Sequence, residues 1–106
     1  MQIIVQHGAT LPFAQLPPNS IALDGYVQGP AIDFDQQRFS FDHHDGCVRL
    51  LTSATCRQVL DAILLGLNPE PFDVFINDVD GDTVMALWLL QNPGAATAAQ
   101  RLQRLE

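Results

Sequence analysis

Apolar positions run through this chain in short β-branched clusters first and in helical stripes later. Ile3-Ile4-Val5 suits a buried strand and ends at His7-Gly8. A loop with Pro12, Pro17 and Pro18 leads to a second run, Ile21-Ala22-Leu23, closed by the turn pair Asp24-Gly25. Residues 31–35 and 38–42 alternate apolar and polar around Gln36-Gln37, which predicts a hairpin without the preferred turn residues. Thr52-Ser53 offers a helix N-cap, and 54–65 follow with Cys56, Val59, Leu60, Ile63 and Leu64 on one face. Gly66 stands at the C′ position, with Pro69 and Pro71 preventing a restart. Residues 73–77 form the next strand, and 83–90 make a helix that is apolar nearly all round. Asn92-Pro93-Gly94 breaks it, and 95–105 give a last helix with Arg101 and Arg104 in its final turns.

Strand and helix alternate through the second half, so the expected class is α/β: one domain, with a small, mainly parallel sheet flanked by helices. The last helix would ordinarily lead into another strand. That expectation makes the chain a fragment of a longer enzyme or a subunit completed by a partner. The encircling apolar residues of 83–90 likewise call for cover on more than one side, which points to a homo-oligomer.

Composition narrows the partners. The 106 residues are 47% hydrophobic, enough for a core, and carry a formal net charge of −7. An acidic chain is a poor match for long nucleic acid, which needs Lys and Arg for its phosphates. A phosphorylated substrate stays open, because a bound cation supplies positive charge. The first residues lack the basic start and long apolar run of a signal peptide, and nothing approaches a membrane span. A cytoplasmic protein with no membrane partner is expected, its Cys47 and Cys56 reduced.

Much of the negative charge sits in two clusters at predicted strand ends. Arg38-Phe39-Ser40-Phe41 delivers Asp42-His43-His44-Asp45-Gly46, and Val74-Phe75-Ile76 delivers Asp78-Val79-Asp80-Gly81-Asp82-Thr83. Open α/β sheets bind ligands at the carboxyl ends of their strands. An Asx-turn and helix cap would account for one or two of the aspartates in the second cluster, not three. A calcium loop is disfavoured, since Thr83 and Leu89 stand where that loop needs Gly and Glu. Mixed imidazole and carboxylate donors suit Mn²⁺ or another first-row divalent ion, and all-oxygen donors suit Mg²⁺. Asp33, Asp35, Asp42, His43, His44, Asp78, Asp80 and Asp82 suffice for two ions, with His7 and Asp24 in reserve.

Phe41-Asp42-His43-His44 resembles the Asp-His-His signature of the DHH phosphoesterase superfamily. Thr52-Ser53-Ala54-Thr55 matches the Ser/Thr-rich helix opening that succeeds the signature there, and Asp78 matches in order the family's downstream metal-binding aspartate. The resemblance spans roughly residues 20–92. It implies hydrolysis of a phosphodiester or phosphoanhydride through a dinuclear site holding two ions, Mn²⁺ or Mg²⁺. His43, Asp35, Asp78, Asp80 and Asp82 would be the metal ligands, His44 would contact the transferred phosphoryl group, and Asp42 would orient the histidines. The family's intermediate aspartate falls on Asp24 by distance from the triplet, or on Asp33 or Asp35 by adjacency. The implied substrate is a phosphorylated small molecule or short oligonucleotide.

Two departures are plain. No Asp-x-Asp follows the first strand, where only His7 remains, and the family's substrate-binding domain is absent. A noncatalytic binding or assembly module is therefore the alternative. The enzymatic reading requires the strands ending at Asp42 and Asn77 to be parallel near-neighbours, opening on one edge. It also requires a cluster carboxylate within about 5–6 Å of a His43 or His44 ring nitrogen.

Overall fold

The computed structural model describes residues 1–42, 55–78 and 81–94. Five strands form one sheet: β1 (Gln2–Val5), β2 (Ser20–Leu23), β3 (Ala31–Asp33), β4 (Arg38–Phe41) and β5 (Asp73–Ile76). Their spatial order is β1-β5-β2-β4-β3. The first four in that order run parallel, and β3 pairs antiparallel with β4 at the edge. The α/β class is as expected, but the sheet is mixed rather than mainly parallel. The departure lies in β3, which returns through a hairpin and so reverses the edge.

Central strands read as continuous apolar runs because both of their faces are covered. Ile21, Leu23, Phe39, Phe41, Val74 and Ile76 point to one face, where Val59, Ala86 and Leu90 of the helices α1 (Thr55–Leu64) and α2 (Gly81–Gln91) close over them. Each of these fully buried aliphatic side chains contributes about 1.5–3 kcal/mol by leaving water. The opposite face carries no α-helix among the described residues, only the 3-10 turn Phe13–Gln15. Ala22 and Phe75 are covered there by Leu16, Tyr26 and Val27, with Leu11 and Phe13 of the proline-rich loop. Tyr26 packs on Phe75 at 5.4 Å and donates its hydroxyl to Gln6 Oε1 at 2.6 Å.

Arg38 fastens that loop to the hairpin. Its guanidinium donates to the carbonyls of Phe13, Ala14 and Leu16, lies 5.3 Å from the Phe13 ring centre, and pairs with Asp33. The same side-chain hydrogen bonding holds the Asp33 carboxyl below its ordinary pKa. The β3–β4 turn spans 34–37, with Gln37 at φ 54° and the Asp33 carboxylate accepting from the Asp35 and Gln36 amides. This Asx-turn replaces the Gly chemistry that the sequence lacks.

α1 ends as the sequence predicts. Gly66 adopts φ 116°, its N–H donates to Ile63 at 3.0 Å and the Leu67 N–H to Ala62 at 3.0 Å, which is a Schellman motif. The expected apolar stripe is only partly right. Cys56, Val59, Ala62 and Ile63 pack on the core, while Leu64 is exposed. α2 departs further, since the expectation of cover all round is met only at Thr83, Ala86 and Leu90 and partly at Leu87 and Leu89. The predicted helix over 95–105 lies outside the described residues, as do the N-cap Thr52-Ser53 and Cys47. No described helix is long and apolar enough to cross a membrane.

Candidate functional site

Parallel strands all open at the same edge, so the first one or two residues past their carboxyl ends line up along it. Across the sheet these are His7 after β1, Asp78 after β5, Asp24 after β2 and Asp42 after β4. The strands leading to Asp42 and Asn77 are parallel and separated only by β2, so both acidic clusters start from one edge. His43, His44 and Asp80, and the side chain of Asp82, lie outside the described residues. The required contact between imidazole and carboxylate therefore does too. Among the described residues no three His, Cys, Asp or Glu side chains form a metal-sized group.

Asp24 sits at the centre of this edge. It follows the middle strand, takes φ 52°, and is tied by its N–H to the Phe41 carbonyl at 2.8 Å. Left-handed backbone is uncommon outside glycine, although aspartate tolerates it better than most residues. Its carboxylate is 2% exposed and accepts from two threonine hydroxyls: Thr55 on Oδ1 at 3.0 Å and Thr83 on Oδ2 at 2.8 Å. Thr55 begins α1 and Thr83 lies in the first turn of α2, so one carboxylate meets the amino ends of both helices. Those ends carry partial positive charge and favour an anion. The sequence reading of Asp24-Gly25 as a turn was right about the backbone and missed the side chain.

Asp42 is the second buried carboxylate of the edge, at 1% exposure. Oδ2 accepts the Gly29 N–H at 2.7 Å. Its backbone is gripped by the Gln58 carboxamide, which accepts from the Asp42 N–H at 3.1 Å and donates to the Asp42 carbonyl at 2.7 Å. α1 thus fixes where the chain leaves β4 immediately before His43. That suits Asp42 to holding its neighbours in place rather than to meeting solvent.

His7 and Asp78 continue the row on one side of this pair, from the edge strand β1 and its neighbour β5, and both are exposed. The ladder continues past the strands through Gly8 N–H to the Asn77 carbonyl at 3.0 Å, and the Asn77 amide donates to Ala9 at 2.8 Å. Asp35 stands apart from this edge. It stands in the β3–β4 turn, before β4 begins, which is the opposite end of the sheet from Asp42. The length of β4 alone, roughly 13 Å, separates it from the clusters. Asp33 belongs to the same end and is engaged by Arg38. Of the three aspartates weighed as the intermediate ligand, Asp24 alone reaches the edge.

No protein-family model matches the chain, no curated protein is recognisably similar to it, and no solved structure matches its fold.

Proposed function

We propose that this chain is a cytoplasmic, divalent-metal-dependent phosphoesterase domain of DHH type. The observation that carries the reading is the alignment of His7, Asp78, Asp24 and Asp42 along one carboxyl edge, each following one of four adjacent parallel strands. The donor set there, carboxylate oxygens with imidazole nitrogens next in sequence, fits Mn²⁺ or Mg²⁺ chemically. His43, Asp78, Asp80 and Asp82 would hold two ions, with Asp24 between them, and Asp35 is left out. Such ions, when bound, acidify a shared water and draw charge from phosphoryl oxygens. Asp42, anchored by Gly29 and Gln58, would keep His43 and His44 turned to the edge, with His44 against the phosphoryl group. The substrate class is a phosphorylated small molecule or short oligonucleotide, since a net charge of −7 suits longer nucleic acid poorly.

A second reading has its own support. Both oxygens of Asp24 are taken by threonines, so the central carboxylate already serves the fold. That favours a noncatalytic binding or assembly module. One experiment separates the two. At about a hundredfold excess over Kd, Mn²⁺ stabilises the folded protein by about 2.7 kcal/mol, which raises Tm by roughly 10 °C or more. The rise should vanish in the His43→Ala/Asp80→Ala double variant, and the wild type should hydrolyse a chromogenic phosphodiester with Mn²⁺. No thermal shift and no hydrolysis in a folded wild type would discard the enzymatic reading.

A further inference from the structure

β3 is an edge strand, and a groove of ≈ 490 Å³ runs between it and the end of α1. Ile32 and Phe34 stand on one side and Leu65 and Leu67 on the other, with the buried rings of Phe39 and Phe72 beneath. Ile32, Phe34 and Leu65 are 56%, 70% and 89% exposed, although side chains of this kind ordinarily leave water. Both sides are held in place. Phe34 meets Phe39 edge-on with 6.0 Å between ring centres, and its carbonyl accepts from the Gln37 carboxamide at 2.6 Å. Leu65 immediately precedes Gly66, whose Schellman motif fixes the helix end. The apolar contact that accompanies such a motif falls to Leu67, which packs on the core, so Leu65 contributes little to its own fold.

Area and charge together select the occupant. Ile32, Phe34 and Leu65 expose on the order of 450 Å², as much as the largest apolar patch on an ordinary monomer. Gly66, Leu67, Asn68 and Pro71 around them bring the face to roughly 700 Å², close to the ~800 Å² that each partner of a stable dimer buries. A small molecule would fill the groove and leave this rim in water. The chain carries a net charge of −7, so two copies repel wherever their carboxylates meet. None of the residues lining the groove is charged, and the nearby Asp33 carboxylate is engaged by Arg38. Here one acidic chain can meet another without that repulsion.

We propose that this face joins two copies of the chain about a two-fold axis, with Leu65 of each copy seated in the groove of the other. A two-fold axis brings the same patch to both sides, so one knob and one groove per chain complete the contact. The proposal is independent of the enzymatic reading. At about 100 μM, with a chelator present so that no metal bridges the copies, the full chain should sediment at twice the mass of one chain. Leu65→Lys should raise the dimer Kd at least about tenfold, because each dimer loses two buried leucines and gains two like charges. Phe34→Lys, across the groove, should do the same and decides the matter if Leu65→Lys fails to fold. Val84→Lys, on the exposed side of α2, should leave the dimer intact. Three outcomes would overturn the proposal: a monomeric wild type at that concentration, dimerisation that both groove variants leave unchanged, or dimerisation that Val84→Lys alone abolishes.

Discussion

α1 and α2 begin alike and then diverge. Each follows a parallel strand, each packs on the same face of the sheet, and each sets a buried threonine of its first turn on Asp24. Beyond that turn α1 is an ordinary surface helix. It carries the Arg57–Asp61 pair outside, buries Val59 inside, and stops at Gly66. α2 bears no charge after Asp82, shows Val84, Met85 and Trp88 outward, and ends where the Asn92 N–H and side-chain amide donate to the Trp88 carbonyl, both at 2.9 Å. One polar contact at the centre of the sheet specifies where both helices start. What each outer face exposes, a charged pair on α1 and apolar side chains on α2, sets the two helices apart.

Removing the shared start should have the largest effect. Asp24→Ala deletes the acceptor of two buried hydroxyls, and hydrogen bonds to a charged group contribute about 1.5–3 kcal/mol each. The expected loss is about 3–5 kcal/mol, a large part of the 5–15 kcal/mol that holds such a domain together. Thr55→Ala and Thr83→Ala should each cost about half as much, and each should be nearly silent in the Asp24→Ala background. Urea denaturation of the wild type, the three single variants and the two double variants checks this. A loss under about 1 kcal/mol for Asp24→Ala would mean that the helices do not share that anchor.

The sequence reveals this arrangement unevenly, for physical reasons. Runs such as Ile21-Ala22-Leu23 and Val74-Phe75-Ile76 are legible because strands covered on both faces have no polar positions to interrupt them. Gly66 is legible because a left-handed C′ position favours one residue type. Asp24-Gly25 reads the same whether its carboxylate points to solvent or to the core. The partners that decide lie 31 and 59 residues away. Asp35 is close to Asp42 in sequence, yet a reversing turn sends it to the other end of the sheet. The stripe of α1 is displaced because that helix packs against both β4 and α2, which brings Ala62 inward and turns Leu64 out.

Gly66→Ala should separate the two helices at their ends. No atom lies within 4 Å of a Cβ added at Gly66, so the substitution meets no steric obstacle. Its cost is the left-handed backbone itself, about 1 kcal/mol or slightly more. Gly66→Asn should recover part of that cost, because asparagine tolerates positive φ. Amide exchange should quicken at Leu65 and Leu67 and stay unchanged at Asn92, whose cap belongs to α2. Equal acceleration at both helix ends would show that the two termini open as one unit.

The smallest effect concerns the charged surface that α1 has and α2 lacks. Arg57 Nε and Asp61 Oδ1 are 3.1 Å apart at i,i+4, with side chains 55% and 48% exposed. An exposed pair of this kind contributes about 0.3–0.5 kcal/mol, because water screens the attraction and two long side chains lose freedom to form it. The order of charges, basic before acidic, is the weaker one along a helix, which puts the pair at the low end. A double-mutant cycle over Arg57→Ala and Asp61→Ala should therefore give a coupling under about 0.5 kcal/mol that disappears in molar salt. A coupling near 2 kcal/mol, or one indifferent to salt, would mean that the pair is shielded from water in solution. The outer face of α1 would then not be an ordinary solvated surface, and the contrast drawn with α2 would be lost.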